Sequence, residues 1–104
     1  MTRGEIWWAR LPSPVGRRPV LLLSRDVAYR VRRSVTVAPL TRTIRRIPTE
    51  VELDRADGVP VRCVANLDDI MTIPRASLDT PVTALSADRM AAVTAAIRFA
   101  LDLD

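Results

Sequence analysis

All sixteen basic side chains of this sequence are arginines, and it contains no histidine. A guanidinium is planar and carries its donors in a fork, so it meets a phosphate with two parallel hydrogen bonds where an ammonium offers a point charge. The missing residue types remove chemistry as well. Without histidine, the commonest general acid and base near neutral pH is gone. A single cysteine, Cys63, leaves no ligand set for zinc, and its place between Arg62 and Val64 reads as a buried structural thiol. Residues 1–46 hold eleven arginines against Glu5 and Asp26, a balance of +9, while residues 47–104 hold five against ten acids, a balance of −5. A cationic first half is what a polyanion needs, although folding can also mix such charges over a solvated surface. The stretch Thr41 to Pro48 has three arginines (Arg42, Arg45, Arg46) and no acid, and reads as a mobile basic loop. Asn66, the only asparagine, interrupts an apolar stretch. Its amide can contact a base edge or satisfy backbone groups locally, and the sequence does not separate the two.

These groups need a scaffold, and 104 residues make a single domain, 1–104, with one core. Hydrophobic residues are 48% and charged residues 27%, ordinary for a globular chain. No apolar run approaches the ~20 residues of a membrane span. The opening Met1 to Glu5 lacks the apolar stretch of a secretion signal, and one cysteine fits a reducing compartment, so the expected location is cytoplasmic, with no membrane partner.

Short strands dominate the pattern. Gly4 to Leu11 has strand formers at its centre and is followed by a Pro- and Gly-marked turn at residues 12–16. Arg17 to Ser24 enters a strand through Pro19, and its continuous apolar run predicts burial on both faces. Asp26 to Arg33 is a surface connection with a helical turn near Val27 to Tyr29. Ser34 to Leu40 alternates with period two, as does Thr49 to Leu53, with Val51 and Leu53 inward and Glu50 and Glu52 outward. Asp57-Gly58 marks a turn. Val61 to Leu67, Met71 to Ile73 and Val82 to Leu85 complete six or seven strands. Ser86 then offers an N-cap, and Met90, Val93, Ile97 and Leu101 recur at helical spacing. The expected fold is mainly β (α+β): a small, curled β-barrel with a C-terminal amphipathic helix packed outside.

Four stretches, in order, resemble the MazF/PemK toxins: Arg3-Gly4-Glu5-Ile6-Trp7-Trp8, Arg17-Arg18-Pro19-Val20-Leu21-Leu22-Leu23-Ser24, Val35-Thr36-Val37-Ala38-Pro39-Leu40-Thr41, and Val64 to Ile73 around Asn66-Leu67-Asp68-Asp69. The closing Leu85-Ser86 and helix extend the likeness over the chain. It implies an SH3-like barrel, a homodimer, and a type II toxin–antitoxin endoribonuclease that cuts single-stranded RNA by attack of a ribose 2′-OH on the adjacent phosphate. That reaction leaves a 2′,3′-cyclic phosphate and a 5′-OH and uses no metal and no cofactor.

By the same resemblance, Arg18 and Thr41 match catalytic positions, and Asp68 matches a carboxylate proposed as base or RNA contact. Arg17, Ser24, Arg42, Thr43, Arg45, Arg46 and Asn66 are the expected RNA contacts. Taken alone, Arg18 is equally a barrel-rim arginine, Thr41 a strand-end turn residue, and Asp68 a turn former with Asp69. Two stretches depart from the family pattern: residues 12–17 form a shorter loop without a Glu, and Asp69-Ile70-Met71 stands where Gln-Ile-Arg is common. The family relation also implies control by the acidic C-terminal tail of a cognate antitoxin, with Arg17, Arg18, Arg42, Arg45 and Arg46 gathered at one rim. Two other functions fit the same fold class. A CcdB-like DNA gyrase poison would rely on the C-terminal helix, and a non-catalytic SH3-like RNA-binding module would need more aromatic surface than two Trp, one Tyr and one Phe supply.

Overall fold

A computed structural model of residues 1–104 has seven strands and two α-helices. In chain order they are β1 (Glu5–Arg10), β2 (Arg17–Leu22), α1 (Ala28–Val31), β3 (Ser34–Thr41), β4 (Glu50–Leu53), β5 (Cys63–Asn66), β6 (Met71–Pro74), β7 (Leu78–Ala84) and α2 (Ala87–Ala100). All pairings are antiparallel, in the order β4-β5-β3-β2-β1-β7. The end strands β4 and β7 are not hydrogen-bonded to each other, so the barrel is curled rather than closed.

Strand β3 makes the curl. Its first half, Ser34 to Val37, pairs with β6, and its last residues, Leu40 and Thr41, pair with β5. Pro39 sits between the two stretches. Leu23 N donates to Thr36 O, so even-numbered residues of β3 turn their backbone groups toward β2. Pro39 therefore faces the gap where β3 has left β6 and not yet met β5, and its missing N–H forfeits no ladder bond.

The continuous apolar run of β2 is buried on both faces, as its composition predicts. Leu21 and Leu23 join Ile6, Ala38, Leu40, Leu53 and Ala65 under α2, whereas Val20 and Leu22 join Ala9, Tyr29, Val35, Val37 and Ile73 on the other side. Val20, Leu21 and Leu22 are fully buried, each contributing about 1.5–3 kcal/mol by removal from water. Helix α2 starts where expected, with Ser86 Oγ accepting from Arg89 N at 3.2 Å, and buries Val93 and Ala96. Its apolar stripe is shorter than the spacing implies: the helix ends at Ala100, and Leu101 is 56% exposed. No helix is long and apolar enough to cross a membrane.

Two strands start two or more residues away from where the sequence pattern puts them. β7 begins at Leu78 rather than Val82; it is an edge strand, so Pro81 is tolerated opposite Trp7, with register shifts in the β1–β7 ladder. β5 begins at Cys63 rather than Val61, because Val59 to Arg62 form the turn leading into it.

Candidate active site

A cleft of about 600 Å³ opens where β2 begins and β3 ends, walled on its far side by Val59, Pro60 and Val61. The β2–β3 register pairs Val20 with Pro39 and Leu21 with Ala38; continued toward the start of β2 it sets Arg18 opposite Thr41. Side chains alternate along strands, so directly opposed residues share a face. Both line the cleft, together with Arg17, Arg42 and Thr43.

Arg18 is positioned by the ladder itself. Leu23 and Thr36 form a hydrogen-bonded pair in this ladder, which makes Pro19 opposite Leu40 a hydrogen-bonded position too. Proline has no N–H to give. The Leu40 carbonyl receives instead the Arg18 guanidinium, Nη1 to O at 3.3 Å. Arg18 is half-buried and makes no ion pair within the chain, so its remaining donors are open to an anion. Thr41 Oγ1 accepts from Thr43 N at 3.2 Å, which orients the hydroxyl while leaving its proton to be donated.

Arg17 lines the cleft in a different state. Its Nε and Nη2 donate to the two Asp79 oxygens at 3.2 and 3.1 Å, and its Cζ lies 4.5 Å from the centroid of the Trp8 ring. Arg17 holds the Asp79 carboxyl below the usual carboxylate range. Of the three cleft arginines, Arg18 and Arg42 are therefore the unneutralised ones. Cys63 forms part of the floor, and burial pushes its thiol up, so it stays protonated and inert at neutral pH.

The other predicted site residues lie elsewhere. Ser24, at the far end of β2, accepts from Thr36 N at 2.8 Å, a strand-end contact. The Asn66 amide is engaged locally: Oδ1 accepts from Asp68 N at 3.0 Å and Nδ2 donates to Asp69 Oδ2 at 2.9 Å. Asp68 accepts from Thr49 Oγ1 at 2.7 Å and does not line the cleft. Arg45 and Arg46 also lie off the cleft, so the five arginines expected at one rim divide into two groups. Their amides donate to Glu50 Oε1 at 2.8 and 3.2 Å, and this tie pins the end of the loop that composition marks as mobile. Glu50 points to the outer face, as alternation predicts, yet the loop folds over it and leaves its side chain only 1% exposed.

Trp8 and the turn Val59 to Val61 are cleft residues that the sequence pattern did not single out. A period-two signal for Trp8 was present, since it shares a face of β1 with Ile6, which also lines the cleft. Asp79 had no signal, being 62 residues from its partner Arg17.

The likeness to known proteins covers this whole arrangement. The family model for the PemK-like, MazF-like toxin of type II toxin-antitoxin system matches residues 2–101. The chain is 41% identical over 101 residues to the probable endoribonuclease MazF5 of Mycobacterium tuberculosis, covering 96% of this chain and 92% of that protein. Its fold superposes on the Mycobacterium tuberculosis toxin MazF-mt6 with a TM-score of 0.89 at 38% identity, covering 96% and 98% of the two chains. It matches an endoribonuclease solved in complex with its cognate antitoxin from a mycobacterial species equally well, at TM-score 0.89 and 26% identity over 100% and 97%. Over nearly its full length, the chain belongs to the PemK-like, MazF-like toxins of type II toxin–antitoxin systems.

Proposed function

We propose that the chain is an endoribonuclease toxin that cuts single-stranded RNA in the cytoplasm without a metal ion. The observation that carries this reading is the juxtaposition of Arg18 and Thr41, opposed across β2 and β3 in one cleft. A relative of 41% identity is named a probable endoribonuclease, and the chemistry asked of such an enzyme is chemistry these two side chains can serve.

The scissile phosphate sits between them. The 2′-oxygen bonds to phosphorus as the bond to the 5′-oxygen breaks; a proton leaves the 2′-OH, another is delivered to the 5′-oxygen, and no water is consumed. Negative charge builds on the non-bridging oxygens along the way. The Arg18 guanidinium offers them two donors, and the Thr41 hydroxyl offers a third; preorganised donors of this kind stabilise developing charge at no reorganisation cost. Arg42 and Thr43 hold the flanking backbone, and Trp8, covered by the Arg17 guanidinium, lines the side of the cleft. The geometry assigns no step to Asp68. The donor set favours a metal-free route, since no three carboxylate, imidazole or thiol groups converge on a point.

The neighbour solved with its cognate antitoxin supports a partner of the same kind here. A homodimer would present a groove spanning both copies, and the acidic C-terminal tail of an antitoxin would compete with RNA for the unpaired Arg18 and Arg42. Incubating the purified protein with mixed RNA in EDTA tests the function. Cleavage with 5′-OH ends is expected. Activity that vanishes in EDTA and returns with Mg²⁺, or products carrying 5′-phosphates, would overturn the metal-free mechanism; intact RNA under all conditions would overturn the ribonuclease.

A further inference from the structure

We infer that the surface around α1 is a second RNA-binding site, which grips phosphates flanking the segment held in the cleft; the inference rests on the ribonuclease reading above. Arg25, Arg30, Arg32 and Arg33 lie on α1 and its two flanks, and all four are exposed. None takes part in an ion pair: the five ion pairs of the molecule use Arg10, Arg17, Arg45, Arg62 and Arg89. The only acid between Glu5 and Glu50 is Asp26, and its carboxylate is engaged by the Arg3 amide at 2.7 Å.

Two more arginines are drawn to the same place by their hydrogen bonds. Arg3 Nη1 donates to Leu23 O, and Arg75 Nη1 donates to Tyr29 O at 2.7 Å, while Arg75 N donates to Arg33 O at 2.7 Å. Six arginines thus lie on α1 and its flanks or are hydrogen-bonded to them, and Asp26 is the only acid in that stretch of chain. Like charges held together by a fold repel, and a polyanion is the partner that relieves the repulsion. Val31, 67% exposed among these arginines, adds apolar surface for a ribose or base.

This surface is separate from the cleft, yet one RNA can reach both. None of the six arginines lines the cleft. Arg33 precedes Thr41 by eight residues of largely extended chain, which spans at most roughly 26 Å. RNA suits the surface better than an acidic protein does, because the four α1 arginines line neither the active-site cleft nor the cavity between Arg3 and α2, and exposed guanidiniums match a phosphate backbone more closely than a peptide that also needs apolar anchors. A second copy docked two-fold symmetrically would bring the same arginines face to face.

The test compares RNAs of two lengths on the Arg18→Ala protein, whose slowed cleavage leaves the RNA whole over a short binding measurement, with and without Arg25, Arg30, Arg32 and Arg33 all changed to Ser. One RNA is an unstructured octamer, within the length a small β-barrel covers; the other is a transcript of on the order of 100 nucleotides. The quadruple change should weaken the transcript about tenfold and lower its salt slope by about 2–3, at ~0.7 for each phosphate no longer neutralised. It should leave octamer binding within about twofold. Unchanged transcript affinity, or equal weakening for both RNAs, would overturn the inference. So would transcript binding that holds while binding of an acidic antitoxin peptide disappears, which would assign the surface to a protein. Because binding is read without cleavage, a wild-type protein that cuts no RNA would remove the proposed function while leaving this result to stand or fall by itself.

Discussion

The Arg18 guanidinium donates across 3.3 Å to the carbonyl of Leu40, the residue that faces Pro19 in the β2–β3 ladder. A sheet position left without its amide donor thus becomes the mount for a cationic side chain, one residue from the threonine it must work with. Replacing Arg18 with Ala should lower the cleavage rate about 10²–10³-fold, with RNA binding weakened far less. Arg18→Lys should recover little, because an ammonium cannot supply two parallel donors to one phosphate. Single-turnover cleavage beside equilibrium binding checks both, and near-normal rates would clear Arg18 of a role in the chemistry.

Pro19→Ala probes the mount rather than the group. Alanine restores an N–H that competes for the Leu40 carbonyl and loosens Arg18 from its orientation. The expected outcome is a loss in kcat of about three- to tenfold with KM little changed. Unaltered kcat would mean that other contacts suffice to hold Arg18.

At Thr41 the hydroxyl is the part under test. Thr41→Ser keeps both the bond from Thr43 N and a proton to donate, and should retain most activity. Thr41→Ala removes both and should slow cleavage by about 10²-fold, as loss of one transition-state donor does. Equal rates for the two variants would leave Thr41 as a turn residue only.

How far the sequence alone reaches is visible in these residues. The apolar run entered through Pro19 and the alternation ending at Leu40 put Arg18 and Thr41 beside strand ends, the family resemblance singled them out, and the barrel turned that local pattern into proximity. Asn66 had two readings, and the structure shows its side chain bonded to the Asp68 amide and to Asp69, contacts that a turn sets and no period in the sequence announces. Glu50 shows where pattern stops: alternation gives the direction of its Cβ, but only the path of the loop over β4 decides that its carboxylate is buried. The Arg17–Asp79 pair joins residues 62 apart and neutralises a cleft arginine that composition counts as free. Contacts of that kind are set by tertiary packing and leave no periodic trace.

A pH series should expose the tie between the Asp57 turn and α2. Arg89 Nε donates to Asp57 Oδ1 at 2.9 Å and holds that carboxyl below the usual range. The unfolded value being about 3.9, the pair's contribution is complete above that pH and is lost as pH falls through the lower folded value. Arg89→Ala should cost about 0.5–1 kcal/mol at neutral pH, a figure kept small because the Arg89 side chain is 40% exposed. The gap to wild type should close as Asp57 protonates in both proteins. Urea unfolding from about pH 7 down to about pH 2 measures this, and a gap independent of pH would assign the loss to packing.

The same turn holds the sharpest steric test in the molecule. Gly58 ends the short helical turn Arg55–Asp57 at φ +94, a conformation L side chains rarely adopt. A Cβ there would lie 2.3 Å from Thr83 Oγ1 and 2.8 Å from Thr83 Cβ, and Thr83 Oγ1 is already bonded to Asp57 O at 3.2 Å. Neither side can yield cheaply, because Thr83 lies in β7 against β1. Gly58→Ala should therefore destabilise the fold by about 2–4 kcal/mol, the sum of backbone strain and overpacking. Thr83→Ala in the same chain removes Oγ1 but leaves Cβ, so it should restore only part of the loss. The adjoining turn Val59 to Val61 walls the cleft, so the single variant should also lose RNA affinity below its unfolding midpoint. Calorimetry and binding on the two variants check this together, and a Gly58→Ala protein as stable as wild type would show that the turn relaxes away from Thr83.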